Sequence, residues 1–384
     1  MNTFNTNNIE QKIRIKIDYS KTLEKTLLEM STKNAEKQNP FFLVDLACLS
    51  RKLKHWEKTF PFVKPFYAVK CNPDEKIVSV LEKMGVNFDC ASCSEMQFLL
   101  RKKNFDSRRI IFANPHKSQK EIKFALSNKV FLMTFDCKEE LHKIVDAAKS
   151  FKNFENILNK IRIVLRIKVD NPKALNKLNE KYGAPLETID QIIEETKRLK
   201  LVLEGISFHV GSGCYDANAY VNVLENAKYA FQKAKQLCSP LKILDIGGGF
   251  PGGSHGGFMV NGEHDKIFLE EIGNVFDEKM NTSLSFLKDV TVISEPPKLL
   301  SQGDEKLDLN QNLAEMDFGA ERCSYFYGPT RSEEDLVSWD QKMPFLKIGA
   351  LLYFTSMGAY TSSISSKEME IEEVETFYVW IENA

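Results

Sequence analysis

Residues 64–90, KPFYAVKCNPDEKIVSVLEKMGVNFDC, decide the fold. Lys64–Val69 is a short, mostly apolar run of strand length. Asp74–Lys83 then places Ile77, Val80 and Leu81 on one stripe at helical period, and Asn87–Cys90 returns to strand character. A strand, a helix and a second strand in so short a span form a βαβ unit, which implies parallel pairing and a right-handed crossover.

The same alternation runs on from this unit. Further strands are read at Ile110–Ala113, Phe131–Phe135, Arg162–Lys168, Leu203–His209, Leu241–Ile246 and Val290–Glu295. Most are apolar enough to be buried on both faces. Helical periods fill the gaps at Ser94–Lys103, Ser118–Ser127, Lys138–Lys149, Leu186–Leu199, Ala217–Leu237 and Phe268–Met280. Eight such units in about 250 residues match the size of a (β/α)8 barrel of the TIM type. An open doubly wound sheet is the alternative architecture.

The flanks differ. Residues 12–19, KIRIKIDY, alternate apolar and charged like a half-exposed strand, and Met343–Met357 and Thr376–Ile381 also read as strands. Residues 299–324 are polar without a clear period and read as a loop. The expected organisation is an N-terminal segment (1–40) joining a β domain, a barrel over 41–298, and a smaller, partly truncated β-rich domain over 299–384.

Bulk properties exclude several classes. Lys+Arg of 52 against Asp+Glu of 53 leaves a net charge of -1, without the basic footprint of a nucleic-acid binder. No apolar run is long enough to span a bilayer, and the polar start, Met1 to Gln11, lacks the apolar core of a signal peptide. A cytoplasmic location is expected. The 8 cysteines are spread along the chain and read as free thiols. Cys90 and Cys93 form one C-x-x-C without a second pair, so no metal site is expected there.

Polar residues cluster at the C-terminal strand ends, where barrels build active sites. Lys70 follows strand one, Asp89 lies near the end of strand two, Arg166 is on strand five, and His209 ends strand six. Gly247, Gly248 and Gly249 follow strand seven, and Glu295 ends strand eight. A lysine leaving a buried strand loses charge to desolvation and becomes an imine-forming nucleophile, unless it simply emerges at the surface. Consecutive glycines expose backbone N–H groups to an anion, unless they form only a flexible turn. Neither a P-loop nor a dinucleotide fingerprint is present. Glu295 is placed to hold a proton on a pyridine nitrogen or to pair with Arg166. His209 is either packed core or a residue beside a ligand; the Gly-Ser-Gly turn after it favours the ligand, with Ser212 able to donate to a phosphate oxygen.

Taken in order, Y-A-V-K-C-N, F-D-C-A-S, S-F-H-V-G-S-G-C, D-I-G-G-G-F-P-G and S-E-P resemble the ornithine decarboxylase family, the barrel-type decarboxylases dependent on pyridoxal phosphate. The resemblance runs from about residue 40 to 298 and resumes at Tyr327–Thr330 and Met357–Thr361. It implies that Lys70 holds pyridoxal 5'-phosphate as a Schiff base, that His209 stacks on its ring and that Glu295 pairs with its ring nitrogen. It further implies that Gly247, Gly248, Gly249, Ser212 and Tyr360 bind phosphate, while Asp89, Glu95 and Arg166 line the pocket. The implied reaction is decarboxylation of a basic amino acid, first L-ornithine to putrescine in polyamine biosynthesis, by a homodimer with shared sites.

The chain departs from the family after strand eight. Glu295-Pro296-Pro297-Lys298 replaces E-P-G-R, removing one backbone N–H and one planar guanidinium fork. Arg331 and Ser332 stand at the family's Cys and Asp positions after Gly-Pro-Thr, and the Y-x-x-N-D-G motif has no counterpart. Glu333 or Asp335 is the nearest substitute acid. A catalytically impaired, antizyme-inhibitor-like homologue that binds an antizyme-like regulator is therefore the second reading.

Overall fold

The computed structural model describes residues 41–169, 181–212, 216–237, 241–250, 262–281, 289–296, 322–327, 336–343, 358–359 and 374–380, with residues 29, 178, 214 and 287. Residues 262–268, 280–281, 322–327 and 336–343 are described in backbone course only.

After β1 (Phe41–Asp45), eight parallel strands close into a barrel. They are β2 (Val63–Ala68), β3 (Asn87–Cys90), β4 (Ile110–Phe112), β5 (Leu132–Phe135), β6 (Arg162–Arg166), β7 (Val202–Ser207), β8 (Ile243–Asp245) and β9 (Thr291–Ser294). Closure comes from β9 pairing with β2 in the register Val63↔Val292 to Pro65↔Ser294, which rules out the open sheet. Each strand lies where the apolar runs place it. The ends are trimmed by up to two residues, because the polar residues at the mouth leave the ladder.

Period-two alternation divides each strand between two cores. Phe66, Ile111, Val164 and Ile293 form a small buried cluster inside the barrel. Tyr67, Phe88, Phe112, Met133, Leu165, Ile206, Leu244 and Val292, one residue out of phase, belong to the large core between barrel and helices. A bulge between Ile163 and Val164 resets the alternation where β6 meets β7.

The helices are set by their caps as much as by their stripes. In α2 (Glu75–Lys83), Asp74 accepts from the N–H groups of Lys76 and Ile77 at 2.8 and 2.9 Å. Before α3 (Cys93–Leu100) the cap is Ser92, two residues ahead of the serine expected from sequence. In α4 (Gln119–Ser127), Ser118 and Glu121 form a reciprocal capping box. Helices α5 (Lys138–Lys149), α6 (Phe154–Leu158), α7 (Ile189–Arg198), α8 (Ala217–Leu237) and α9 (Gly262–Asn281) complete the outer layer, with α1 (Ala47–Thr59) at its start.

Three strands lie outside the barrel with β1. β1 pairs in parallel with β12 (Glu375–Val379), near the strand expected at Thr376–Ile381. β10 (Arg322–Tyr327) and β11 (Leu336–Met343) form an antiparallel pair. One expectation is corrected here. Residues 322–324 belong to β10 rather than to the loop read over 299–324, since pairing with β11 overrides their polarity. The strand expected over Met343–Met357 shares only Met343 with β11, and its remainder, 344–357, lies outside the described residues, as does 12–19.

Candidate active site

Inward alternation, continued one step past the plug of Phe66, Ile111, Val164 and Ile293, places polar residues at the C-terminal mouth. Asp89 faces Ala68 in register across β3 and β2. Arg166, Ser207 and Asp245 are successive register partners across β6, β7 and β8. Glu295 follows β9 on the same phase as Ile293. Three carboxylates and one guanidinium thus share a low-dielectric rim, where unpaired charge is costly.

Lys70 stands two residues beyond the end of β2, in a single 3-10 turn, Val69–Cys71, that follows the strand directly. Its amine lies 3.4 Å from Asp89 Oδ2. The side chain is 44% exposed, which sides with the alternative of a lysine emerging at the surface over strand burial: the chain turns before Lys70 enters the ladder. Asp89 itself is buried, and its Oδ1 has no hydrogen-bond partner among the described residues.

The glycine turn is clamped on both sides. Gly247 N donates to Asp245 Oδ1 at 2.9 Å. Its carbonyl accepts from Glu295 N at 2.7 Å and Ser294 Oγ at 2.8 Å. Ser207 Oγ donates to Asp245 Oδ2 at 2.7 Å. A methyl group at Gly248 would come within 2.7 Å of the Glu295 carbonyl oxygen and 3.0 Å of His209 Nε2, so that position holds only glycine without displacement. Beyond the turn, the buried Phe250 ring meets Trp56 and Tyr220 at 5.3 and 5.1 Å between centroids, fixing the turn to the helical layer. Cys214 N donates to Gly249 O at 3.2 Å, which brings the turn carrying Ser212 against it.

His209 sits half-buried between these turns. Its Nδ1 accepts from Gly211 N at 3.0 Å, which assigns the neutral ring's proton to Nε2. Burial first, then the charges of Arg166 and Lys70, hold the imidazole well below its ordinary pKa, so the ring is neutral at pH 7. Burial also lifts the two neighbouring acids. Asp245 is raised to about 6, against the lowering effect of its bonds from Ser207 and Gly247. Glu295 is raised well above the usual carboxylate range by burial and then by Asp89 and Asp245, with Lys70 and Arg166 opposing.

Arg166 lays its guanidinium over Tyr182 at 5.1 Å. The next residue, Gly183, donates to Asp136 Oδ2 at 2.9 Å. Glu95 accepts from Ala91 N and Ser92 Oγ at 2.9 and 2.8 Å. Its carboxyl is raised chiefly by burial.

Lys70, Asp89, Arg166, His209, Ser212, Gly247, Gly248, Gly249 and Glu295 therefore all lie at one end of the barrel. Tyr360, Pro297, Lys298, Arg331, Ser332, Glu333 and Asp335 lie outside the described residues. Asp245, Ser207 and Ser294 were not singled out from sequence. An acid inside the apolar run K-I-L-D-I-G was the available signal. Asn72, in the Y-A-V-K-C-N motif, was overlooked for want of any local anomaly. Among the described residues Cys90, Cys93 and Cys137 are free thiols, and no helix is long and apolar enough to cross a membrane.

Comparison with known proteins agrees with this geometry. Residues 46–302 match the pyridoxal-binding domain of the pyridoxal-dependent decarboxylases. The chain is 32% identical to antizyme inhibitor 2 of Xenopus laevis, covering 90% of this chain and 81% of that one. It is equally 32% identical to a probable ornithine decarboxylase of Dictyostelium discoideum, covering 89% and 80%. Among solved structures, the Paramecium bursaria Chlorella virus arginine decarboxylase bound to agmatine superposes with a TM-score of 0.77 at 26% identity, over 92% of this chain and 100% of that one. The chain belongs to the barrel-type, pyridoxal-dependent decarboxylase family, whose cofactor is pyridoxal 5'-phosphate.

Proposed function

We propose that this chain decarboxylates a basic amino acid, with L-ornithine, giving putrescine, as the first substrate to test. The observation that carries the reading is the convergence of Lys70, Asp89 and Glu295 with the clamped glycine turn at one barrel mouth.

The residues fit the family's cofactor. A partnerless buried acceptor at Asp89 Oδ1 and a glycine cradle that a Cβ would fill both leave room and polarity for an aldehyde-bearing, anionic ring. Lys70 would hold it by its amine, His209 would cover the ring, and Glu295 would face its nitrogen. Gly247, Gly248, Gly249 and Ser212, with Tyr360, would take the phosphate; Asp89, Glu95 and Arg166 would line the pocket. When bound, pyridoxal phosphate supplies the electron sink that lets a carboxyl group leave as carbon dioxide and a proton take its place.

The chain's own residues do the rest. Burial and two neighbouring acids oppose ionisation of the Glu295 carboxyl, which favours a proton shared between that carboxyl and a ring nitrogen. Asp89 orients the Lys70 amine. The neutral His209 ring presents a flat apolar face, with no charge to compete for that proton. Among the described residues, Asp89, Glu95 and Asp245 outnumber Lys70 and Arg166 around the mouth, which favours a substrate with a cationic side chain.

A second reading has its own support. The antizyme inhibitor 2 relative is as similar as the ornithine decarboxylase relative, and Arg331 and Ser332 replace the family's Cys and Asp. Retention of Lys70, Asp89, Arg166, His209 and Glu295 favours catalysis. A homodimer, a barrel over 41–298 with a smaller β-rich domain after it, and a cytoplasmic location belong to the same proposal. The separate β10–β11 sheet supports the division.

One experiment separates the readings. The protein is purified with pyridoxal phosphate, its visible spectrum recorded, and the adduct reduced with borohydride and mapped. Label on Lys70 with carbon dioxide released from carboxyl-labelled ornithine, lysine or arginine supports the enzyme. Label without release from any of the three points to the regulator, and no label sinks the cofactor assignment.

A further inference from the structure

The turn that carries Lys70 is tied to two places near the far end of the chain. Asn72, buried at 8% exposure, donates from Nδ2 to the Gly358 carbonyl at 2.8 Å. Its Oδ1 accepts from Asp74 N at 3.2 Å, and its backbone carbonyl accepts from the Tyr67 hydroxyl at 3.0 Å. Asp74 divides its carboxylate. Oδ1 caps α2, while Oδ2 accepts from the hydroxyl of Tyr378 on β12. Burial and the Asp74 charge push that hydroxyl's pKa up, so it remains a donor throughout the working pH range.

The far ends of these ties are themselves anchored. β12 pairs with β1 over five register positions, Phe41↔Glu375 to Val44↔Tyr378 and Asp45↔Val379. Leu46 N donates to Val379 O at 2.8 Å, and Trp380 is buried in the helix–barrel core. An isolated 3-10 turn has poor intrinsic stability, and a lysine side chain has four rotatable bonds. Aiming an amine from such a turn therefore depends on what holds the turn, and small misplacements of a reacting group are costly.

We propose that Tyr378 and Gly358 act, through Asp74 and Asn72, as positioning points for Lys70, so that this chain's own C-terminal segment completes the lysine site. Asn72 and Asp74 transmit the hold; none of the four touches the reacting atoms. The functional consequence rests on the reading of Lys70 as the cofactor lysine, whereas the mechanical coupling does not.

Two variants of the full chain test it. Tyr378→Phe removes one hydroxyl and keeps the ring. Asn72→Asp keeps the acceptor for Asp74 N and loses the donor to Gly358. Amide hydrogen exchange over residues 69–74, thermal unfolding, and borohydride labelling of Lys70 across a pyridoxal phosphate titration are compared with the unaltered protein. Exchange over 69–74 is expected to quicken about tenfold in each variant, with β3 and β4 unchanged. Half-maximal labelling of Lys70 is expected to need about tenfold more cofactor.

Unchanged exchange in both variants overturns the proposal. Faster exchange with unchanged labelling also overturns it, because the ties would then support the fold alone. If the unaltered chain takes no label on Lys70, the cofactor reading fails, and exchange by itself decides the coupling. Should Asn72→Asp not fold, Tyr378→Phe, which leaves the β1–β12 pairing intact, carries the comparison.

Discussion

Glu295 and Asp245 are the two acids whose burial has the most consequence. Glu295 is raised well above its ordinary range, so a neutral amide of the same shape suits its pocket. Glu295→Gln is expected to leave cofactor-free stability equal or higher while lowering kcat by roughly 10²–10⁴, the range for losing a positioned proton donor. Thermal unfolding and carbon dioxide release, measured side by side, check this. Asp245 is fully buried and titrates at about 6 in the fold, against an ordinary value of 3.8. The native state thus binds that proton more tightly than the unfolded chain, and stability falls as pH rises between those two values. Asp245→Asn keeps an acceptor for Gly247 N and removes the charge. It is expected to be about 1–2 kcal/mol more stable than the parent at pH 8, the difference vanishing near pH 4. Denaturant titrations of the cofactor-free protein at the two pH values would expose the opposite trend.

Turns, more than strands, set the geometry at the mouth. The Gly248 position faces the Glu295 carbonyl and the His209 ring, so Gly248→Ala must move one of them. The expected cost is about 1–3 kcal/mol of stability, as for overpacking a dense core, with a weakened visible absorption of added pyridoxal phosphate. An unaltered spectrum and melting temperature would show that the turn is free to shift. The strands themselves were readable because apolar β-branched runs of four to six residues have few other uses in a chain of this length. Helix starts were partly readable: the stretch begun at Ser118 is capped by that residue, whereas the stretch begun at Ser94 is capped by Ser92. For Lys70 the sequence left burial and surface emergence both open, since nothing local marks where β2 gives way to a 3-10 turn. Asp245 and Asn72 escaped notice for a related reason. Their side-chain partners lie 2 to 38 and 2 to 286 residues away respectively, and only closure of the barrel and docking of the C-terminal strand bring the distant ones near.

Among the described residues, charge is also buried at a second place, remote from the barrel mouth. Lys117, wholly inaccessible, sets its ammonium 2.9 Å from Glu140 Oε1 and donates to the Thr134 and Asn114 carbonyls at 2.5 and 3.0 Å. Lys143 lies 2.7 Å from Glu140 Oε2. This network joins the loop after β4 to β5 and α5. Removing its only buried anion by Glu140→Gln strands the Lys117 charge and is expected to cost about 3–5 kcal/mol. Burial already depresses the Lys117 pKa, and losing Glu140 depresses it further. The penalty is therefore greatest below that folded pKa and eases as pH rises above it, where the unfolded chain holds the extra proton. Equal losses at pH 6 and pH 9 would contradict this account.

The plug of Phe66, Ile111, Val164 and Ile293 has a consequence for traffic. Four buried apolar side chains pack together across the barrel interior, which leaves the rim beside Lys70 as the approach to the acids above them. A proton delivered to Glu295 arrives by that same doorway. Whatever stoppers the rim, a bulky amine or a docked protein, halts exchange at every acid behind it at once.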